Sequence, residues 1–127
     1  MDTDLHGLRY ERETREIIGA AIEVLNMLGH GLLEKPYENA LAVEFRLRNL
    51  PFVQQPRFNV IYKGTIVGDY VPDLIVANRV VVDTKVIEGI TNHDLGQMLN
   101  YLKITQLPVG LILNFKRSRL EWKRAAL

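Results

Sequence analysis

Tyr70-Val71-Pro72-Asp73-Leu74-Ile75-Val76, then Ala77-Asn78-Arg79, then Val80-Val81-Val82-Asp83-Thr84-Lys85-Val86-Ile87 is the stretch from which this chain is read outward. Two runs rich in β-branched residues flank a short turn signal, the pattern of a β-hairpin. With Ala77 to Arg79 as an odd-length loop the ladder centres on Asn78, and Asp73 falls directly opposite Asp83. Strand alternation puts Lys85 on the same face as Asp83. Cross-strand partners have Cβ atoms about 4.5 to 5.5 Å apart, where like charges destabilise a sheet. At roughly 5 Å and an effective dielectric of about 20, two carboxylates repel by about 3 kcal/mol, before the cost of desolvating them among valines. A hard divalent cation would offset this, and Mg²⁺ is usually held by one or two carboxylates plus substrate phosphates. A second arrangement is open: Asp73 bonds a backbone amide near the bend at Pro72 while Asp83 and Lys85 form an ion pair.

Upstream, Ile17, Ile18, Ala21, Ile22, Leu25 and Leu28 recur at helical spacing and predict a helix from about Glu11 to Leu28, ended by Gly29-His30-Gly31. A second helix is expected from near Pro36 to Asn49, with Ala40, Leu41, Phe45 and Leu47 as its apolar side. Glu34 then lies just before it or in its first turn. Strands are expected at Phe52 to Tyr62, Thr65 to Val76 and Val80 to Ile87, a third helix at Asn92 to Ile104, and a strand at Pro108 to Phe115. Leu120 to Lys123 is a candidate final strand. A strand–helix–strand crossover from Val80 through Leu113 implies a parallel pair, whereas the hairpins are antiparallel. The expected fold class is therefore α/β, a mixed β-sheet flanked by helices. Val80 to Val82 and Leu111 to Leu113 are apolar at successive positions, as in central strands covered on both faces.

A chain of 127 residues, 47% hydrophobic and 24% charged, is expected to form a single domain over residues 1–127. With no cysteine it has neither disulfides nor thiolate ligands, and His6, His30 and His93 are too scattered for a zinc cluster. No apolar run approaches the roughly 20 residues that span a bilayer, and Met1-Asp2-Thr3-Asp4 is too acidic for a signal peptide. No membrane partner and a cytoplasmic location are expected. A net charge of +1 does not decide about nucleic acid. Lys116, Arg117, Arg119, Lys123 and Arg124 do cluster around Trp122, as a surface for a phosphate backbone or as a solvated basic tail.

On the third helix Gln97 and Tyr101 are four residues apart and share a face, while Leu95, Met98, Leu99 and Leu102 supply the apolar side. Because that helix leaves the strand bearing Asp83 and Lys85, its polar face can overhang the acidic pair, where an amide and a phenol would orient water or phosphate. Lining a solvated face is the other role for such a pair.

An upstream acid, then Pro72-Asp73, Asp83-Thr84-Lys85 and Gln97-x-x-x-Tyr101, in this order of elements, resembles the PD-(D/E)xK nuclease superfamily. More narrowly, Gly31-Leu32-Leu33-Glu34-Lys35-Pro36-Tyr37 is similar to the signature of its GxxExxY family. The likeness covers about Arg9 to Lys123. It implies a restriction-endonuclease-like three-layer sandwich in which Glu34, Asp73 and Asp83 ligate Mg²⁺ or Mn²⁺ and Lys85 positions or activates the attacking water. Gln97 and Tyr101 would support substrate. That family favours glutamate where this chain has Asp83, one methylene shorter. Glu38 rivals Glu34 as the helix acid, with helical surface polarity as its other reading, and Tyr37 is equally suited to core packing.

The leading functional expectation is metal-dependent hydrolysis of a nucleic-acid phosphodiester, DNA ahead of RNA. A catalytically silent module that binds nucleic acid or protein on the same fold is the alternative. A structural subunit is a third, which leaves the buried charges without a role. Homodimerisation is expected by analogy with other small single-site domains.

Overall fold

The computed structural model describes residues 10–127. His6, the acidic run at residues 1–4 and Arg9 lie outside the described residues. Helix α1 (Glu11–Leu28) buries Thr14, Ile17, Ala20, Ala21, Val24 and Leu25, one stripe at three- and four-residue spacing. Gly29 ends it at φ 75°, a backbone angle that glycine adopts without strain, and its N–H bonds Leu25 O at 2.8 Å. Helix α2 (Glu34–Leu47) starts two residues ahead of Pro36, so Glu34 stands in its first turn. A Schellman motif closes α2: Asn49 takes the left-handed position at φ 56°, its N–H bonds Arg46 O, and the N–H of Leu50 bonds Phe45 O at 2.9 Å.

Seven strands follow in the described residues: β1 (Phe52–Gln54), β2 (Phe58–Tyr62), β3 (Thr65–Tyr70), β4 (Leu74–Val76), β5 (Val80–Lys85), β6 (Val109–Asn114) and β7 (Glu121–Ala126). Helix α3 (Asn92–Thr105) joins β5 to β6. The two long strands expected from Phe52 to Val76 are thus each divided in two. Pro56 and Pro72 have no N–H to give a ladder, and Gln55 turns left-handed at φ 54°. As a result β1 and β4 enter the main sheet, ordered β1-β4-β5-β6-β7, while β2 and β3 form a separate two-stranded ribbon. The final strand is longer than expected, so Lys123 and Arg124 of the basic cluster lie on β7 and Lys116, Arg117 and Arg119 in the turn before it, not on a tail.

Within the main sheet only β5 and β6 run parallel, as a helical crossover requires. One face carries Leu74, Val76, Val80, Val82, Leu111 and Leu113 against α1 and α2. The other carries Ile75, Val81 and Ile112 against Met98 and Leu102 of α3. These are the three layers of an α/β sandwich. Gly110 lets α3 approach, because a Cβ there would sit 2.4 Å from Met98 Sδ and 2.5 Å from its Cγ. Between β4 and β5, Ala77 and Asn78 have φ of 53° and 54°, and Arg79 N–H bonds Val76 O at 3.0 Å, a type I′ turn matched to sheet twist. With Arg79 as a third loop residue the register is Val76↔Val80, Ile75↔Val81, Leu74↔Val82.

Candidate active site

One residue beyond the last ladder pair, Leu74↔Val82, Asp73 comes beside Asp83. Asp73 has left the strand at the bend after Pro72, and its Oδ2 accepts two hydrogen bonds from Thr84, from the backbone N–H and from Oγ1, each 2.8 Å. Asp83 and Lys85 alternate with the buried Val82 and Thr84 and stand on the face that Val81 shares with α3. Lys85 Nζ lies 3.2 Å from Asp83 Oδ2, with about a fifth of each side chain exposed.

Burial pushes the Asp83 carboxyl up to about 6. The Lys85 charge opposes that rise, whereas the negative charge of Asp73 and a hydrogen bond with it add to it. Burial by itself would lower the Lys85 ammonium, but Asp83 more than reverses this and Asp94 and Tyr101 add to the rise. One ammonium therefore does not fully compensate two carboxylates that meet in a half-buried niche.

Two tyrosines wall the niche. Tyr70, the last residue of β3, stacks on Tyr101 of α3 with ring centroids 3.9 Å apart and planes 12° from parallel. Both phenols are raised, first by burial and then by Asp83, with Asp73 contributing. Helix α3 is aimed here by a capping box: Thr91 Oγ1 accepts from Asp94 N–H, and Asp94 Oδ2 accepts from Thr91 N–H at 2.8 Å. That bond from Thr91 holds the Asp94 carboxyl below its usual range. The loop from Lys85 to α3 is clipped from below. The buried side chain of Asn114 bonds both the N–H and the carbonyl of Ile87 and also Glu121, and Glu121 accepts from Ile90 N–H. Gln97 lies between Asp94 and Tyr101 on the same helical face, half-buried, its side chain making no hydrogen bond to another described residue.

Glu34 and Glu38 part company. Glu34 is exposed and accepts the N–H of Val86, the residue after Lys85, at 3.1 Å. Glu38 does not face solvent: it is buried and takes bonds from Lys35, Gln54 and Gln55, the shortest 2.6 Å from Gln54 Nε2. Gln55 in turn gives its backbone N–H to Asp73 O at 3.0 Å. Tyr37 is core, stacked on Phe115 at 4.5 Å, and its hydroxyl donates to Gly29 O and accepts from Leu32 N–H. The segment from Gly31 to Tyr37 thus seats the first turn of α2 on the end of β5.

The structure brings Asp73, Asp83, Lys85 and Tyr101 together and adds Tyr70, Thr84 and Asp94. It does not bring Glu34 into a three-carboxylate group, and no set of three His, Asp or Glu side chains among the described residues is arranged to hold a metal ion. A profile of the PD-(D/E)XK nuclease superfamily matches residues 11–125, nearly the whole chain.

The chain belongs to the PD-(D/E)XK nuclease superfamily. Its mixed five-stranded sheet between helices is the restriction-endonuclease-like fold, and membership implies a nucleic-acid substrate. No curated protein and no solved structure matches the chain. Of the residues now at the site, Thr84 lay inside the D-x-K motif, and Asp94 stands three residues after Thr91, in the first turn of the helix where an acid is favourable. Nothing in the sequence pointed to Tyr70. Among the described residues no helix is long and apolar enough to cross a membrane.

Proposed function

We propose that this protein is a metal-dependent nuclease that hydrolyses phosphodiester bonds of nucleic acid, DNA in the first place, as a member of the GxxExxY family. The observation that carries the reading is the convergence of Asp73 and Asp83 in a half-buried niche, with the Asp83 carboxyl pushed up to about 6 despite an ion pair with Lys85. Two oxygen donors with uncompensated negative charge suit a hard divalent cation whose other positions are filled by water and phosphate. Asp73 and Asp83 would hold Mg²⁺ or Mn²⁺, which when bound lowers the pKa of water and polarises phosphate. Glu34, at the start of α2, stands at the edge of the site, accepting the N–H of Val86 just after the end of β5, as the third acid of the proposal.

Lys85 has two tasks in this reading. Its ammonium keeps Asp83 ionised in the resting site, and it offers a positive charge where a phosphate oxygen gains negative charge in the transition state. Tyr101 and Gln97, on the face of α3 that overlooks the carboxylates, orient water or a phosphate oxygen by hydrogen bonds, and the stacked Tyr70 fixes the Tyr101 ring. Action in the cytoplasm and as a homodimer belong to the same proposal.

The experiment is a calorimetric titration with Mg²⁺ and Mn²⁺ of the wild type, Asp83→Ala and Lys85→Ala, beside cleavage of labelled single- and double-stranded DNA. Metal binding lost in Asp83→Ala, with cleavage lost in both variants, is the expected result. A second reading, a silent binding module, is favoured by one observation: Asp73 with Thr84 and Asp83 with Lys85 already satisfy one another. It predicts no metal binding at millimolar concentration and no cleavage by the wild type.

A further inference from the structure

On the other side of the sheet from the carboxylates, a groove of about 350 Å³ runs between α1 and the β6–β7 turn. Leu25 and Leu120 form its floor, and Asn26, Ser118, Arg119 and Trp122 line it. Trp122 pairs in register with Leu113, whose side chain packs toward α1 and α2, so the indole belongs to that face and not to the α3 face of Asp83 and Lys85. The indole is 43% exposed. Desolvating so large an apolar ring is favourable, and a flat ring beside a polar rim presents a stacking surface.

The polar rim is uncommitted. Lys116 and Arg117 are both tied to Glu88, at 3.6 and 2.9 Å. By contrast the side chains of Asn26, Ser118 and Arg119 make no hydrogen bond or ion pair with any described residue. No acid lines the groove. A guanidinium, an amide, a hydroxyl and an indole around an apolar floor complement a ligand with a planar aromatic face, hydrogen-bonding edges and a negative charge.

We propose that this groove binds an unpaired nucleotide of single-stranded nucleic acid, its base stacked on Trp122 and its phosphate on Arg119. An indole can cover a base only where that base is not already stacked inside a duplex, so single strands are selected over paired ones. The proposal does not depend on the cleavage reading, because the groove lies across the sheet from the carboxylates and would bind a nucleotide whether or not they cut.

Trp122 is the only tryptophan of the chain, so its emission reports on the groove alone. The test is a titration of the full chain, in EDTA to prevent cleavage, with a single-stranded thymidine octamer, read by tryptophan emission and by anisotropy of the labelled octamer. The expected result is saturable quenching that Asp83→Asn retains. Arg119→Glu weakens binding at least tenfold and lowers the slope of log affinity against log salt by about 1. Trp122→Leu weakens it fivefold or more by anisotropy. Arg119 is exposed in a turn, so thermal unfolding of Arg119→Glu should match the wild type, and that variant decides the matter if Trp122→Leu does not fold. The proposal is overturned if the octamer binds without changing tryptophan emission or does not bind. Wild-type affinity in Arg119→Glu, or equal quenching by a duplex of the same length, overturns it as well.

Discussion

Replacing Asp83 by asparagine should stabilise the metal-free protein at neutral pH, although it removes the ion pair with Lys85. The carboxyl goes from an ordinary value of 3.8 to about 6 in the folded chain. Below pH 3.8 both folded and unfolded chains hold the proton and the group has no effect. Between the two values the folded chain keeps a proton that the unfolded chain releases, so stability falls as pH rises, and above pH 6 the loss is complete. A rise of that size corresponds to about 3 kcal/mol. Only 19% of the side chain is exposed, so solvent screening takes little from this. Asparagine stands in for the protonated acid. The variant should therefore match the wild type near pH 4 and exceed it by about 3 kcal/mol at pH 8, with the gap opening between pH 4 and 6. Urea unfolding of both proteins in EDTA across that range gives the difference curve directly. Adding Mg²⁺ at pH 8 should then raise wild-type stability, by about 2.7 kcal/mol at a hundred times the dissociation constant, and leave the variant unchanged. A flat difference curve, or a variant less stable than the wild type at pH 8, would refute the view that Asp83 is held in an unfavourable charge environment.

Thr84→Val keeps the backbone N–H but removes the hydroxyl bond to Asp73, and should cost about 1.5 to 3 kcal/mol at pH 7, measured by denaturant midpoint. Gly110→Ala drives a methyl into Met98 and should destabilise by about 1 to 3 kcal/mol, a loss that Met98→Ala in the same chain reduces. Glu38→Ala strips the partner from Gln54 and Gln55 and should lower stability by about 1 to 3 kcal/mol. The exposed Glu34→Ala should cost less than about 1 kcal/mol while impairing cleavage. If activity falls with Glu38 and not with Glu34 once both proteins are folded, the helix acid has been misassigned.

The β4–β5 hairpin was legible because its register depends on residues adjacent in the chain. Apolar runs of period two meet across a turn in which Ala77 and Asn78 go left-handed, and Asp73 follows onto Asp83 without further information. The spans of α1 and α3 were legible for the same kind of reason, since a helical face repeats every three to four residues. Pro56 and Pro72 were in plain view, but that they divide two strands, and send β2 and β3 out as a separate ribbon, depends on which edges the sheet has free. Glu38 shows the converse. Its spacing reads as helix surface, yet two glutamines from the β1 end bury it.

By itself the sequence determined where helix and strand alternate, the parallel crossover and the meeting of two acids with a lysine beside them, because these follow from local periodicity, turn chemistry and the handedness of the chain. Only the tertiary structure decided what stands around those acids: Thr84 holding Asp73, the Tyr70–Tyr101 stack, Asp94 within the field of Lys85, and Glu34 at the rim rather than in a triad. These contacts join residues from separate strands and helices. Their distances are set by how three layers pack around one sheet, a quantity that no local pattern of side chains encodes.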